Sequence, residues 1–361
     1  MFQFRDKEIA RKVCNLIRKL SPKENIKFMH VCGTHEQVIT KFGIRSLLPD
    51  NIEIIPGPGC PVCITPARDI DLAIELARRG KTIAIYGDMF RVPGSESSLF
   101  KEKARGRDIK IVYSIRDAVK FARDHRKKEV IFFSIGFETT APTVASEILK
   151  SPPDNFTILT SHRIIPPAME SLLQLDEVEI KGWICPGHVA TIIGVKAFRK
   201  FPEKYGMPTV IAGFEPLDVL FGILMLLKQL KENKPKAENE YSRVVREEGN
   251  VKAQKIMNEV FEVYDDIWRG IGEIPLSALK LKDKFSEWDA REKYDIKPKK
   301  SIDIPPGCSC HLVIVGKLKP EQCPMFGTKC TPSSPYGPCM VSTEGTCFIA
   351  YKYGSFQGGK L

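Results

Sequence analysis

Residues 52–87 read IEIIPGPGCPVCITPARDIDLAIELARRGKTIAIYG. Two short β-rich runs, "IEII" (52–55) and "KTIAIYG" (81–87), bracket a Pro/Gly loop and the segment "ARDIDLAIELARRG" (67–80). The apolar residues of that segment recur at helical spacing. Strand, loop, helix, strand is the unit of a parallel α/β sheet. Outward from it the alternation continues. Strands are predicted at "IKFMHV" (26–31), "IKIVYS" (109–114), "EVIFFSIG" (129–136), "FTILTS" (156–161), "KGWIC" (181–185) and "PTVIAG" (208–213). Helices are predicted at 115–128, 167–175 and 190–201. Four strands plus four predict two tandem parallel-sheet α/β domains, 26–128 and 129–228, with "GFE" (136–138 and 213–215) as a faint echo of duplication.

The remainder, 1–25 with 229–361, reads as a third, helical and loop-rich part. "KQLKENKPKAENEYS" (228–242) reads as a linker, and "NVKAQKIMNEVFEVYDDIWRG" (250–270) as a helix stopping at Gly270. Phe4, Ile9, Val13, Leu16, Ile17 and Leu20 form an N-terminal helical stripe, with Cys14 as a packed thiol upon it.

The N-terminus has no signal-peptide pattern, and the longest apolar run, "VLFGILMLL" (219–227), is too short to span a bilayer. A cytoplasmic chain with no membrane partner is expected. Thiols stay reduced in that compartment, so the 11 cysteines point to metal or redox chemistry rather than a disulfide framework. The net charge of +11 comes from scattered Lys and Arg mixed with Glu and Asp. Aromatics are not interleaved with them as a stacking surface requires, which argues against a nucleic-acid partner.

In open α/β sheets chemistry gathers at the carboxyl ends of the strands. "CGTHE" (32–36), "GPGCPVC" (57–63), "GFETTAP" (136–142), "SHR" (161–163), "CPGHVAT" (185–191) and "GFEPLD" (213–218) all fall there. Cys32 would end a strand and Thr34 could cap the next helix, whose positive dipole end favours thiolate. His35 adds a base or ligand, and Glu36 closes the motif. The bland alternative is a buried thiol with a hydrogen-bonded histidine. Cys60 and Cys63 form a C-x-x-C pair that fits a redox dithiol, a zinc half-site or an inert pair. Cys185 with His188, Glu138 and His162 are secondary candidates, each with a packing or capping alternative.

The tail holds Cys308, Cys310, Cys323, Cys330, Cys339 and Cys347 without zinc-knuckle spacing. Loose spacing with Pro and Gly between suits a [4Fe–4S] cluster better than zinc. Cys323, Cys330, Cys339 and Cys347 are the preferred ligands, because Cys308 and Cys310 stand apart across the β-like "HLVIVGKL" (311–318).

"CGTHE", "GPGCPVC", "GFETTAP", "CPGHV" and "CPMFGTKCTPSSPYGPCMVSTEGTC" (323–347) together resemble the HypD family of [NiFe]-hydrogenase maturation factors, from about residue 26 to the C-terminus. The resemblance implies two α/β domains plus an iron–sulfur domain similar to ferredoxin:thioredoxin reductase. It implies a scaffold rather than a turnover enzyme, one that holds iron with a HypC-like chaperone while a HypE-like partner supplies cyanide for Fe(CN)2CO. It implies that Cys32 binds this iron with help from His35, that Cys60 and Cys63 are a redox dithiol, and that Cys323, Cys330, Cys339 and Cys347 hold the [4Fe–4S] cluster. Apart from these partners a monomer is expected. The rival readings are a cluster-fed thiol–disulfide reductase and a zinc-stabilised binding module.

Overall fold

A computed structural model describes residues 4–174, 179–297 and 300–354. Its strands are β1 (Ile26–His30), β2 (Ile52–Pro56), β3 (Thr82–Tyr86), β4 (Ile109–Val112), β5 (Val130–Gly136), β6 (Phe156–Arg163), β7 (Gly182–Pro186), β8 (Thr209–Ala212), β9 (Ala237–Asn239), β10 (Phe261–Trp268) and β11 (Gly272–Leu281). The α/β class is as expected. All eight strands predicted in the two α/β domains are present, and they build two parallel-rich sheets.

The strands are shared out differently from the expectation. One sheet runs β2-β1-β7-β8-β9, all parallel. The other runs β10-β11-β6-β5-β3-β4, with β11 antiparallel to both β6 and β10. The sheets therefore do not divide at residue 128: β5 pairs with β3, and β7 returns to pair with β1. Even the opening unit is split, since β2 and β3 lie in different sheets although the helix Ala67–Arg78 joins them. Periodicity marks where strands are, whereas partner choice in parallel sheets rests on contacts far apart in sequence. β5 and β6 are buried at every residue, as befits strands covered on both faces.

Three other segments depart from expectation. Residues 250–270 are a helix only over Val251–Val260; "FEVYDDIW" then becomes β10, paired with β11. Residues 228–242 are not a plain linker, because the helix Pro216–Glu232 takes the first five and β9 extends the first sheet. "HLVIVGKL" is no strand: Cys310–Val313 is a short helix, with a hydrogen bond from Ile314 N–H back to the Cys310 carbonyl (2.9 Å). The helix expected over 167–175 runs Ile165–Leu172, and Leu175 lies outside the described residues.

The N-terminal helix Lys7–Leu20, capped by Asp6, buries Val13, Cys14 and Ile17 and packs against Pro216–Glu232. A buried ionic lattice ties the second sheet to the helix Ala67–Arg78. Arg163 pairs with Asp266 (2.9 Å) and Asp69 (3.5 Å), Arg291 pairs with Asp69 (3.0 Å), and Ser161 donates to Asp69 (2.6 Å). Among the described residues no helix is long and apolar enough to cross a membrane.

Candidate functional site

β1 is an inner strand, flanked by β2 and β7, and its carboxyl end delivers Cys32 to the N-cap of the helix Gly33–Lys41. The loop after β2 folds back onto this turn. Gly57 N–H donates to the His30 carbonyl (2.7 Å), and Gly33 N–H donates to the Gly59 carbonyl (3.2 Å). A Cβ on Gly59 would stand 2.1 Å from Cys32 N and 2.2 Å from Val31 C, so only glycine permits this approach. The close contact carries Cys60 and Cys63 into the cavity that Cys32 lines. Cys60 caps the helix Pro61–Ile64, and the two cysteines are joined as a disulfide with Cα atoms 5.3 Å apart. His30, Glu36 and Glu344 are the ionisable groups lining the same cavity.

The site's electrostatics differ from the expected activated thiolate. Burial pushes the Cys32 thiol up to about 11, outweighing the backbone N–H groups of His35 and Thr34 that favour its ionised form. His35 does not line the cavity. Its Nε2 hydrogen-bonds the carbonyls of Gly213 (2.9 Å) and Ala212 (3.2 Å), and its ring stacks on Phe214, which stacks in turn on His188. Burial takes the His35 imidazole down to about 3. His30, at the end of β1, occupies the place expected for His35. Its Nε2 lies 2.7 Å from Glu36 Oε2, and Glu36 also binds Arg45 (2.6 Å) and Thr40 (2.9 Å). Burial raises Glu36, but the Arg45 charge and the His30 hydrogen bond outweigh it and leave the carboxyl at about 2. Sequence reasoning missed His30. The available signal was its position as the last residue of a strand that leads straight into a polar loop.

Thr34 donates to Glu344 (3.4 Å), so a residue of the cysteine-rich tail meets the CGTHE loop. Cys185 is wholly buried within β7, and His188 stacks on the far side of Phe214; neither lines the Cys32 cavity. Glu138 lies two residues beyond β5 of the other sheet, where one oxygen accepts from Ile165 N–H (3.0 Å) and the other has no partner. Burial pushes that carboxyl up to about 7.

All six tail cysteines line a second cavity, closed by Phe326, Gly337 and Met340. Cys308 and Cys310 therefore do not stand apart in space. No carboxylate, imidazole or amide side chain is among the lining residues. Cys330 Sγ accepts from Tyr336 N–H (3.4 Å), and Cys339 Sγ accepts from Cys347 N–H (3.3 Å). Among the described residues, no three His, Cys, Asp or Glu side chains are grouped as for a single metal ion. A wall of sulfur donors alone is the chemistry that suits an iron–sulfur cluster. The two cavities have no lining residue in common but draw on the same tail segments: Ile314, Glu344 and Thr346 line the Cys32 cavity, while Cys310, Cys339 and Cys347, a few residues away, line the other.

The HypD family, described as the hydrogenase formation hypA family, matches residues 8–354. A Methanocaldococcus jannaschii protein named for hydrogenase expression and formation is 50% identical over 357 residues, covering 98% of this chain and 99% of its own. The hydrogenase maturation factor HypD2 of Bradyrhizobium diazoefficiens is 45% identical over 368 residues, covering 98% and 97%. HypD of Escherichia coli is 41% identical over 333 residues, covering 91% and 89%. The chain belongs to the HypD family of hydrogenase maturation factors.

Proposed function

We propose that this chain is the scaffold on which the iron of a [NiFe]-hydrogenase centre receives its cyanide and carbonyl ligands. The observation that carries the reading is a shared segment: residues 339–347 give Cys339, Met340 and Cys347 to the sulfur-lined cavity and Glu344 and Thr346 to the Cys32 cavity. Cys32 is the iron ligand. Its thiol is neutral at physiological pH, so iron displaces the proton on binding, and a soft thiolate suits iron that bears cyanide and carbonyl. Burial keeps water from the site. His30, tied to Glu36, and Glu344 are the groups placed to take that proton. His35 serves as a brace that fixes the CGTHE turn to β8 rather than as a second ligand.

Four of the six tail thiols hold a [4Fe–4S] cluster, which supplies single electrons when bound. Cys323, Cys330, Cys339 and Cys347 remain the first set to test, with Cys308 and Cys310 now placed on the same cavity. Opening the Cys60–Cys63 disulfide takes two electrons and two protons and yields two thiols beside Cys32. A HypC-like chaperone completes the iron site, and a HypE-like protein donates cyanide.

Two measurements test the reading. Anaerobically purified protein should carry visible iron–sulfur absorbance that dithionite bleaches, and serine replacement of each tail cysteine in turn should abolish it at four positions. Colourless, zinc-loaded protein would refute the cluster. In complex with the HypC-like partner, Cys32→Ala should lose most of the bound iron and the infrared bands of iron-bound CO and CN. Undiminished iron would instead favour a cluster-fed thiol–disulfide reductase.

A further inference from the structure

Arg269 follows β10 and is wholly buried. Its backbone N–H donates to the carbonyl of Ile64, next to Cys63 (2.9 Å). Its Nε donates to the Asp303 carbonyl (2.6 Å) and its Nη1 to the Pro93 carbonyl (2.9 Å), while Nη2 has no partner. The turn it begins lies directly on the cysteine-rich tail: a Cβ at Gly270 would stand 2.7 Å from the Cβ of His311, the neighbour of Cys310. Among the described residues no carboxylate forms an ion pair with it. The side chain of Asp303 is turned to Ala67 N–H (2.8 Å) and that of Asp71 to Ser95 (2.6 Å).

A guanidinium cannot shed its proton to escape burial, and two neutral carbonyls do not offset its charge. A buried charge without a counter-charge is strongly destabilising. The tail segment on which the Arg269–Gly270 turn packs carries Cys310, beside His311, and Cys308, two thiols that can supply an anion. Both lie on the sulfur-lined cavity.

We propose that Arg269 is the counter-charge of the cysteine cavity, offsetting the negative charge that thiolates and a bound cluster place there and thereby raising the cluster's reduction potential. The proposal rests on the cluster reading above. Reduction adds one electron to the cluster, and a fixed positive charge in a low-dielectric wall favours the more negative state. Arg269 is a positioning residue: it lines neither cavity and acts on the sulfur-lined one through its charge. Through Ile64 it also ties its turn to the dithiol segment.

The test is a dithionite titration of cluster-loaded full-length protein, with the midpoint potential read from visible absorbance or electron paramagnetic resonance. Arg269→Gln should shift the midpoint to more negative values, by about 59 mV for each tenfold loss in the one-electron equilibrium. Arg269→Lys should stay near wild type. A wild-type potential in folded, fully loaded Arg269→Gln overturns the proposal and leaves only carbonyl anchoring, which would lower thermal stability alone. Should Arg269→Gln not fold, Arg269→His decides. Its imidazole loses its proton between roughly pH 5 and 8, so its potential should fall with pH relative to wild type; a parallel course overturns the proposal. Wild-type protein with no cluster would sink the cluster reading and this proposal together, whereas a loaded protein indifferent to residue 269 sinks this one alone.

Discussion

Glu138 shows what burial does to a single side chain. Its folded carboxyl stays neutral up to about 7, whereas the free side chain ionises near 4.5. Between these values the folded protein holds a proton that the unfolded chain has released, so stability falls as pH rises across that window and stays lower above it. Glu138→Gln keeps the acceptor for Ile165 N–H without the ionisation. Its thermal midpoint is expected to exceed that of wild type at pH 8, by the equivalent of up to about 3 kcal/mol, and to match it at pH 4. Equal midpoints at both pH values would contradict the assignment. At this scale the sequence was a partial guide. That Cys32, Cys60 and Cys63 meet could be anticipated, because the loops that carry them follow neighbouring strands, and all three line one cavity. The partners of a histidine could not, since His35 and His30 differ only in which neighbour each ring reaches, and that depends on β8 and the helix Gly33–Lys41 meeting in space.

Among the elements, the Gly59 crossing is the most exacting. Its missing Cβ lets one loop lie on the backbone of another, and that contact sets Cys60 and Cys63 on the Cys32 cavity. Gly59→Ala must displace Cys32, Cys60 or both. We expect it to cost more than about 1–3 kcal/mol, the usual range for overpacking, because backbone rather than a flexible side chain stands in the way. Chemical denaturation would show this, together with loss of iron retention in the chaperone complex; a variant as stable as wild type would mean that the loops can part. Element types were mostly legible, since β-rich runs and amphipathic stretches mark themselves. The failures are local as well as long-range. "FEVYDDIW" continues the polar–apolar mix of the helix before it, and only its antiparallel partner β11 makes it a strand. "HLVIVGKL" has strand composition, yet it curls into a helix to set Cys310 on the cavity wall.

For the whole molecule, the lattice of Asp69, Arg163, Arg291 and Asp266 ties the helix Ala67–Arg78 to β6, β10 and the segment after β11. Asp69→Asn leaves two buried guanidinium groups short of a counter-charge. The expected loss is about 3–5 kcal/mol, read as a lower denaturant midpoint with an unchanged slope. A loss below about 1 kcal/mol would show that Asp266 alone suffices. No pattern in the sequence announces this lattice, because its members come from four separate segments. The same holds for the sheets: counting strands suggested two consecutive halves, but adjacency in a parallel sheet is not written in the order of the strands.

That interleaving has a consequence for synthesis. The first sheet begins with β1 and β2, which precede the other described strands in the chain, yet β1 must wait for β7, about 150 residues later, before its second edge is covered. Meanwhile β3, β4, β5 and β6 are all available by residue 163 and can pair among themselves. The later-starting sheet therefore has the earlier chance to close, and the nascent β1–β2 pair, with the CGTHE and CPVC loops at its end, stays open at one edge in the interval. Such an edge invites pairing with other chains. In this topology the Cys32 cavity stays incomplete until the cysteine-rich tail follows the strands and supplies Ile314, Glu344 and Thr346 to its wall.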